Sequence, residues 1–149
     1  MALSESISRQ TLRIIDANLN RVGEGLRFLE EIARLLLDDA ALTKQLKTMR
    51  HKLIESDHRF QQRLLQSRNS AGDVGMDIEV SREEGKDLPL LLVANARRVQ
   101  ESLRTLEELA KIPDLATNLD SEKFKKARFA LYTIEKKLSS RLLRQYPDK

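Results

Sequence analysis

Residues 17–34 read ANLNRVGEGLRFLEEIAR, and residues 94–111 read ANARRVQESLRTLEELAK. At this offset of 77, the two stretches are identical at 11 of 18 positions. Shared leucines and glutamates are expected of any two amphipathic helices. Asn and Arg recurring at the same phase (Asn18 and Arg21, then Asn95 and Arg98) are not, because Asn is a poor residue inside a helix. A weaker echo follows at an offset of 78, where Leu46, Lys47, Arg50 and Leu53 fall on Phe124, Lys125, Arg128 and Leu131. The pattern therefore implies a duplicated helical hairpin. Two such hairpins about an approximate twofold give the expected fold: all-α, a four-helix bundle with pseudo-twofold symmetry.

Apolar spacing supports four helices. Ile15, Leu19, Val22, Leu26, Leu29, Ala33 and Leu36 form one stripe. A second stripe runs through Leu42, Leu46, Met49, Leu53, Phe60 and Leu64, with Asp38 or Asp39 as its N-cap. A third helix starts either at the capping box Ser81–Glu84 or at Asp87-Leu88-Pro89, and Pro113 stops it. Asp120 or Ser121 caps the fourth, which carries Phe124, Ala127, Leu131, Ile134, Leu138 and Leu142. At 149 residues this is one domain, with halves at about 8–66 and 82–145 joined by an irregular loop at 67–81.

Composition narrows the chemistry. The chain has no cysteine, which removes disulfides, thiolate metal sites and a Cys nucleophile. The N-terminus, MALSESISRQ, has neither the basic region nor the apolar run of a signal peptide. The longest apolar run, LPLLLVANA at 88–96, is about half a membrane span. A cytoplasmic, non-membrane protein is expected. The net charge of +4 suits a partner with a few phosphates, and acids alternating with bases along the chain argue against nucleic acid.

With Asn18 set at 0° and about 100° per residue, the core stripe covers about 0° to 100°. Arg21 and Gly25 then fall at about 300° and 340°, on the edge that Asn18 also occupies. Glu24, Arg27 and Glu31 point away from the core, where i,i+4 ion pairing is the simplest expectation, as for Arg104 and Glu108. The edge residues suggest a polar cleft between the hairpins, lined by two facing Asn-Arg pairs and extended by Arg50 and Arg128. Gly25 has no side chain on that edge, so a helix or a ligand can come close; Ser102 takes its place in the second copy. Gly23 points outward and has no evident structural reason. His51 and His58 read as surface residues. In the loop, Gly72 and Gly75 can offer backbone N–H groups to an anion, Arg68 adds charge, and Asp73 is a carboxylate suited to Mg²⁺.

Four ordered motifs carry a resemblance: DANLNRVGEGLRFLEE at 16–31, LKTMRH at 46–51, RNSAGDVG at 68–75 and ANARRVQESLRTLEE at 94–108. Together they resemble the small all-helical hydroxymethylpyrimidine-phosphate kinase domain, found alone or fused to the N-terminus of thiamine-phosphate synthase. The likeness runs from about Arg13 to Lys136. The loop departs from it, with Asn69-Ser70 where an Asp-Thr-like start is expected. The resemblance implies an ATP-dependent phosphotransferase that uses Mg²⁺ and converts the pyrimidine monophosphate to its diphosphate. Within that reading, the repeated polar positions and the loop supply the candidates: Arg21, Arg50, Arg68 and Arg98 would hold phosphates, and Asp73 with Glu24 or Glu101 would hold metal. Asn18, Asn95, Gly25, Gly72 and Arg128 would contact pyrimidine or nucleotide. A non-catalytic helical module docking thiamine-phosphate synthase is the alternative, and homodimerisation through an apolar helix face is compatible with either.

Overall fold

The computed structural model describes residues 7–55, 58–77 and 87–145. Five α-helices and no strand are found among them: α1 Arg9–Glu31, α2 Ala40–Ile54, α3 His58–Ser67, α4 Leu88–Leu109 and α5 Ser121–Gln145. The fold is all-helical, as the periodicity predicts.

Side-chain caps set the starts. Ser8 Oγ accepts from Thr11 N at 3.0 Å, Asp39 Oδ1 from Leu42 N at 2.9 Å, and Asp87 Oδ1 from Leu90 N at 3.1 Å. Asp120 Oδ1 accepts from Glu122 N at 3.0 Å at the head of α5. Each satisfies a backbone donor that the first turn leaves open. The alternative box at Ser81–Glu84 lies outside the described residues. Helix α4 ends at Leu109, and Pro113 opens a short 3₁₀ turn to Leu115.

Two features were not legible in the stripes. The end of α1 widens into a π turn over Ile32–Leu36, where Leu37 N donates to Ile32 O and Asp39 N to Ala33 O. Asp38 follows in the left-handed region at φ 50°, which a short polar side chain tolerates, and the chain reverses into α2. The second predicted helix is in fact two. Glu55 turns extended (ψ 126°) and ends α2, and the stripe resumes in α3, whose Phe60 and Leu64 are buried. Packing against α1 keeps these residues in the core although the helix axis is broken.

Helices α1 and α4 pack on each other, and each carries the helix that follows it, α2 on α1 and α5 on α4. The helix α3 also leans on α1. Gly25 marks the close approach of the central pair. A Cβ there would stand 2.3 Å from Val99 Cγ2 and 3.5 Å from the Asn95 carbonyl. So Gly25 serves helix–helix packing.

Each outer helix is locked to its inner one by the same ion pair. Arg50 Nε and Nη2 donate to Glu30 Oε1 at 3.2 and 3.1 Å, and Arg128 Nε and Nη2 donate to Glu107 Oε1 at 3.2 and 3.0 Å. Glu30 and Glu107 are buried and stand 77 apart; Arg50 and Arg128 are half-buried and stand 78 apart. The two offsets of the sequence repeat thus meet in one contact. At the other end of α5, Arg141 bonds the Asp39 carboxylate and the Leu37 carbonyl, while Gln145 Nε2 donates to Leu36 O at 2.9 Å.

Gly25→Ala is expected to destabilise the chain by about 1–3 kcal/mol through overpacking against Val99, read as a lower urea midpoint. Removing one partner of a fully buried ion pair costs about 3–5 kcal/mol; Arg50 and Arg128 keep some water contact, so Glu30→Ala and Glu107→Ala should each cost about 2–3 kcal/mol. Clearly unequal losses in urea unfolding would show that the two locks are not equivalent.

Candidate functional site

The repeat builds two surface hollows, one on each hairpin. The first, about 790 Å³, lies between α1, α2 and α3 and is lined by Asn20, Gly23, Glu24, Arg27, Arg50 and His51, with Ile54, Glu55 and Gln61 at its side. The second, about 500 Å³, lies between α4 and α5 and is lined by Arg97, Gln100, Glu101, Arg104, Arg128 and Tyr132. The positions correspond: Asn20 with Arg97, Gly23 with Gln100, Glu24 with Glu101 and Arg27 with Arg104 at the first offset, Arg50 with Arg128 and Ile54 with Tyr132 at the second.

Gly23 now has a physical role. Its counterpart Gln100 is buried and spans to α5, donating from Nε2 to Glu135 Oε1 at 2.8 Å. With no side chain at 23, the first hollow stays open in that place. A Cβ at Gly23 would meet only Ile54, at 3.5 Å, which is ordinary contact. The glycine therefore costs helix stability without easing a clash, as expected of a residue kept for space.

The cleft predicted between facing Asn-Arg pairs is not formed. Asn18 Nδ2 donates to Ile14 O at 2.9 Å and Asn95 Nδ2 to Leu91 O at 2.8 Å, each bonding back along its own helix. Asn95 lies beside Gly25, seven residues and thus roughly 10 Å along α1 from Asn18. Arg21 and Arg98 are exposed and make no ion pair among the described residues. They line neither hollow. Glu24 and Arg50 are brought together in the first hollow, and Glu101 and Arg128 in the second. Gly25 is taken up by packing.

The loop is tied to α1 and to itself. Arg68 grips Asp16 through Nε at 2.6 Å and Nη2 at 3.0 Å, a hydrogen bond that holds the guanidinium above its ordinary pKa. Arg9 Nε and Arg13 Nη2 donate to the carbonyls of Ser67 and Asn69. Gly72 N donates to Asn69 Oδ1 at 2.9 Å and Gly75 N to Asp73 Oδ1 at 2.8 Å. Both glycine N–H groups, expected to cradle an anion, thus serve loop carboxamide and carboxylate oxygens. No cluster of three or more His, Asp or Glu side chains that could hold a metal occurs among the described residues, so Asp73, Glu24 and Glu101 are not gathered into one cage.

Surface pairing beside the hollows follows the i,i+4 expectation. Arg27 Nε lies 3.4 Å from Glu31, and Arg104 lies 2.9 and 2.7 Å from Glu107 and Glu108. A hydrogen bond from Lys111, with the Arg104 and Lys111 charges behind it, keeps Glu108 below the usual carboxylate range. In the second hollow, Arg128 is held protonated by its bonds to Tyr132 and Glu107 and lies 4.9 Å from the Phe129 ring centroid. Sequence reasoning missed Asn20, Arg97, Glu55, Gln61 and Tyr132 because none of them is identical between the copies. It also placed Arg27, Arg104 and His51 on plain surface. Pairing the two offsets would have flagged all of these positions except His51, Glu55 and Gln61.

Comparison with known proteins adds the family. Residues 13–137 match the model described as the ThiD2 family. The chain belongs to the ThiD2 family. Curated relatives of this ThiD2 chain include proteins named thiamine-phosphate synthase. That of Rhodopirellula baltica is 45% identical over 114 residues, covering 75% of this chain and 30% of the relative. Those of Thermosynechococcus vestitus and Nostoc punctiforme are 39% and 35% identical over 130 and 137 residues, covering 85% and 90% of this chain and 35% and 37% of theirs. The chain thus spans about a third of the length of these relatives. No solved structure matches it. No helix among the described residues is long and apolar enough to cross a membrane.

Gly23→Gln, which copies the second repeat, should raise helix stability by about 0.5–1 kcal/mol while filling the first hollow. A higher melting temperature with unchanged far-UV circular dichroism is the expected result.

Proposed function

We propose that this ThiD2 chain acts in thiamine biosynthesis as a kinase that phosphorylates 4-amino-5-hydroxymethyl-2-methylpyrimidine phosphate to its diphosphate, with ATP as donor and Mg²⁺ as metal. The observation that carries the reading is the first hollow. There, Glu24, Arg27 and Arg50 converge on space left open by Gly23, in a chain whose family includes parts of proteins named thiamine-phosphate synthase. Its volume falls within the range of small-molecule sites, roughly 300–1,000 Å³.

The chemistry asks little of the protein beyond placement. A phosphate monoester is already an anionic nucleophile at neutral pH, so neither a strong base nor an activated side-chain nucleophile is required. Transfer depends on holding two phosphates in line and neutralising their charge. Mg²⁺ is commonly held by one or two carboxylates together with substrate phosphates, and Glu24 and Glu55 supply two carboxylates to this hollow. When bound, the ion would neutralise charge on the donor phosphates. Arg27 is more than half exposed and pairs with exposed Glu31, so it can turn to a phosphate at little cost. Arg21, one turn before Glu24, is exposed and makes no ion pair among the described residues, so it offers a second cation. Arg50, fixed by Glu30, supplies a positioned charge at the wall. Asn20 and Gln61 provide amides that suit the pyrimidine's ring nitrogens and amino group. A site that grips the substrate phosphate with Arg leaves that cation unpaired when the free alcohol binds, which explains a requirement for the monoester.

Purified chain with Mg-ATP and the pyrimidine monophosphate should release ADP and diphosphate, followed by phosphorus NMR. Glu24→Gln and Arg27→Met should each lower turnover by about a hundredfold or more, and Gly23→Gln should abolish it in a folded, more stable protein. Absence of product from folded wild-type chain rejects the kinase reading; full activity in Gly23→Gln rejects the placement in this hollow.

A further inference from the structure

A larger concavity lies away from both hollows and shares no lining residue with them. Helices α2 and α5 touch only sparingly, and the groove between them encloses about 1280 Å³. Leu42, Met49, Ala127, Ala130 and Ile134 contribute an apolar floor. Eight lysines and arginines line it, among them Lys44, Lys52, Lys126 and Lys137, against one acid, Asp39, which Arg141 already holds. The groove therefore concentrates more positive charge than the net +4 of the whole chain. None of its six lysines makes an ion pair among the described residues.

We propose that this groove docks an acidic amphipathic helix of a protein partner. The apolar floor calls for an apolar stripe, and the alanines let a backbone approach closely. The lysine rims call for carboxylates flanking that stripe. Helix α2, with 15 residues, is about 22 Å long, enough to seat about four turns of a helix roughly 10 Å across. A second copy of this chain is a poor occupant. Its exposed acids on α1 and α4 (Glu24, Glu31, Glu101, Glu108) alternate with Arg21, Arg27, Arg98 and Arg104, so neither of these described helices offers a comparably acidic face. Nucleic acid is also disfavoured. No aromatic side chain lines the groove for base stacking, and six of the eight cations are lysines, which lack the planar fork that reads phosphates and bases.

The test uses the full chain and a fluorescein-labelled 18-residue peptide carrying a Leu/Ala stripe flanked by Glu. A peptide of the same composition with the stripe scrambled and a single-stranded oligonucleotide of similar charge are the comparisons. Anisotropy should show the striped peptide binding about tenfold or more tighter than the scrambled one, with affinity falling about tenfold as salt rises from about 0.05 to about 0.5 M. Ala130 is exposed, so Ala130→Trp should plug the floor without unfolding the chain and weaken binding about tenfold. The double change Lys126→Glu and Lys137→Glu should abolish it, with circular dichroism confirming the fold. Equal binding of the scrambled peptide, tighter binding of the oligonucleotide, indifference to Ala130→Trp, or no binding would each overturn the proposal. The assay contains no ATP or pyrimidine, so its outcome is independent of the kinase reading.

Discussion

Everything in this fold hangs from the crossing of α1 and α4, where Gly25 admits Val99 against a bare helix backbone. Close approach there buries both inner helices along most of their length. Val22, Leu26 and Leu29 on one side, and Ala96, Val99, Leu103 and Leu106 on the other, lose all exposure. The outer helices are then fastened to the flanks of that pair, each by one buried glutamate and one arginine. Such a lock adds direction more than energy, since a buried ion pair gains little over apolar packing yet tolerates few alternative registers. The broad basic groove on one side and the paired hollows follow from this layout, because α2 and α5 are each held by their own inner helix and only lightly by one another.

The hollows show how two similar helical pairs can differ in the space they enclose. One copy keeps Gly23 and Ile54 and stays open; the other has Gln100, which bridges to Glu135, and Tyr132, which leans on Arg128. The shared frame of Glu, Arg and Arg is unchanged between them. The roomy and the half-filled hollow thus differ at a few lining positions, while the Glu and two Arg of their shared frame are kept.

Sequence periodicity exposed the helices and their caps at Asp39, Asp87 and Asp120. These are local properties: spacing at 3.6 residues and a short polar residue before each start. The break at Glu55 was invisible because Phe60 and Leu64 continue the apolar phase of α2, and packing on α1 accepts the stripe whether or not the axis bends. The roles of the two glycines depend on what lies across from them in the fold. Gly25 lay on the edge facing another helix, and the sequence allowed either a helix or a ligand there. Gly23 pointed outward and seemed wasted until Gln100 showed what a side chain in that place does. The Asn-Arg pairs misled for a related reason. Repetition marked Asn18 and Asn95 as special, but an asparagine can satisfy itself on the carbonyl four residues back, and both do so. The charge of the α2–α5 groove was equally hidden, because lysines dispersed along the chain converge only when two helices are laid side by side.

The clasp formed by Arg141 and Gln145 reaches back more than a hundred positions, to the corner that ends in Leu37. Most other contacts join neighbours in the chain, α1 with α2 and α4 with α5, and so form early with little loop-closure entropy. The last two turns of α5 therefore act as a latch, engaging only after both hairpins have come together. Stability of the corner that follows α1 is thus conferred by the last turns of α5, more than a hundred residues away. A ribosome releasing this chain would complete the first hairpin's sequence well before the latch that secures it exists.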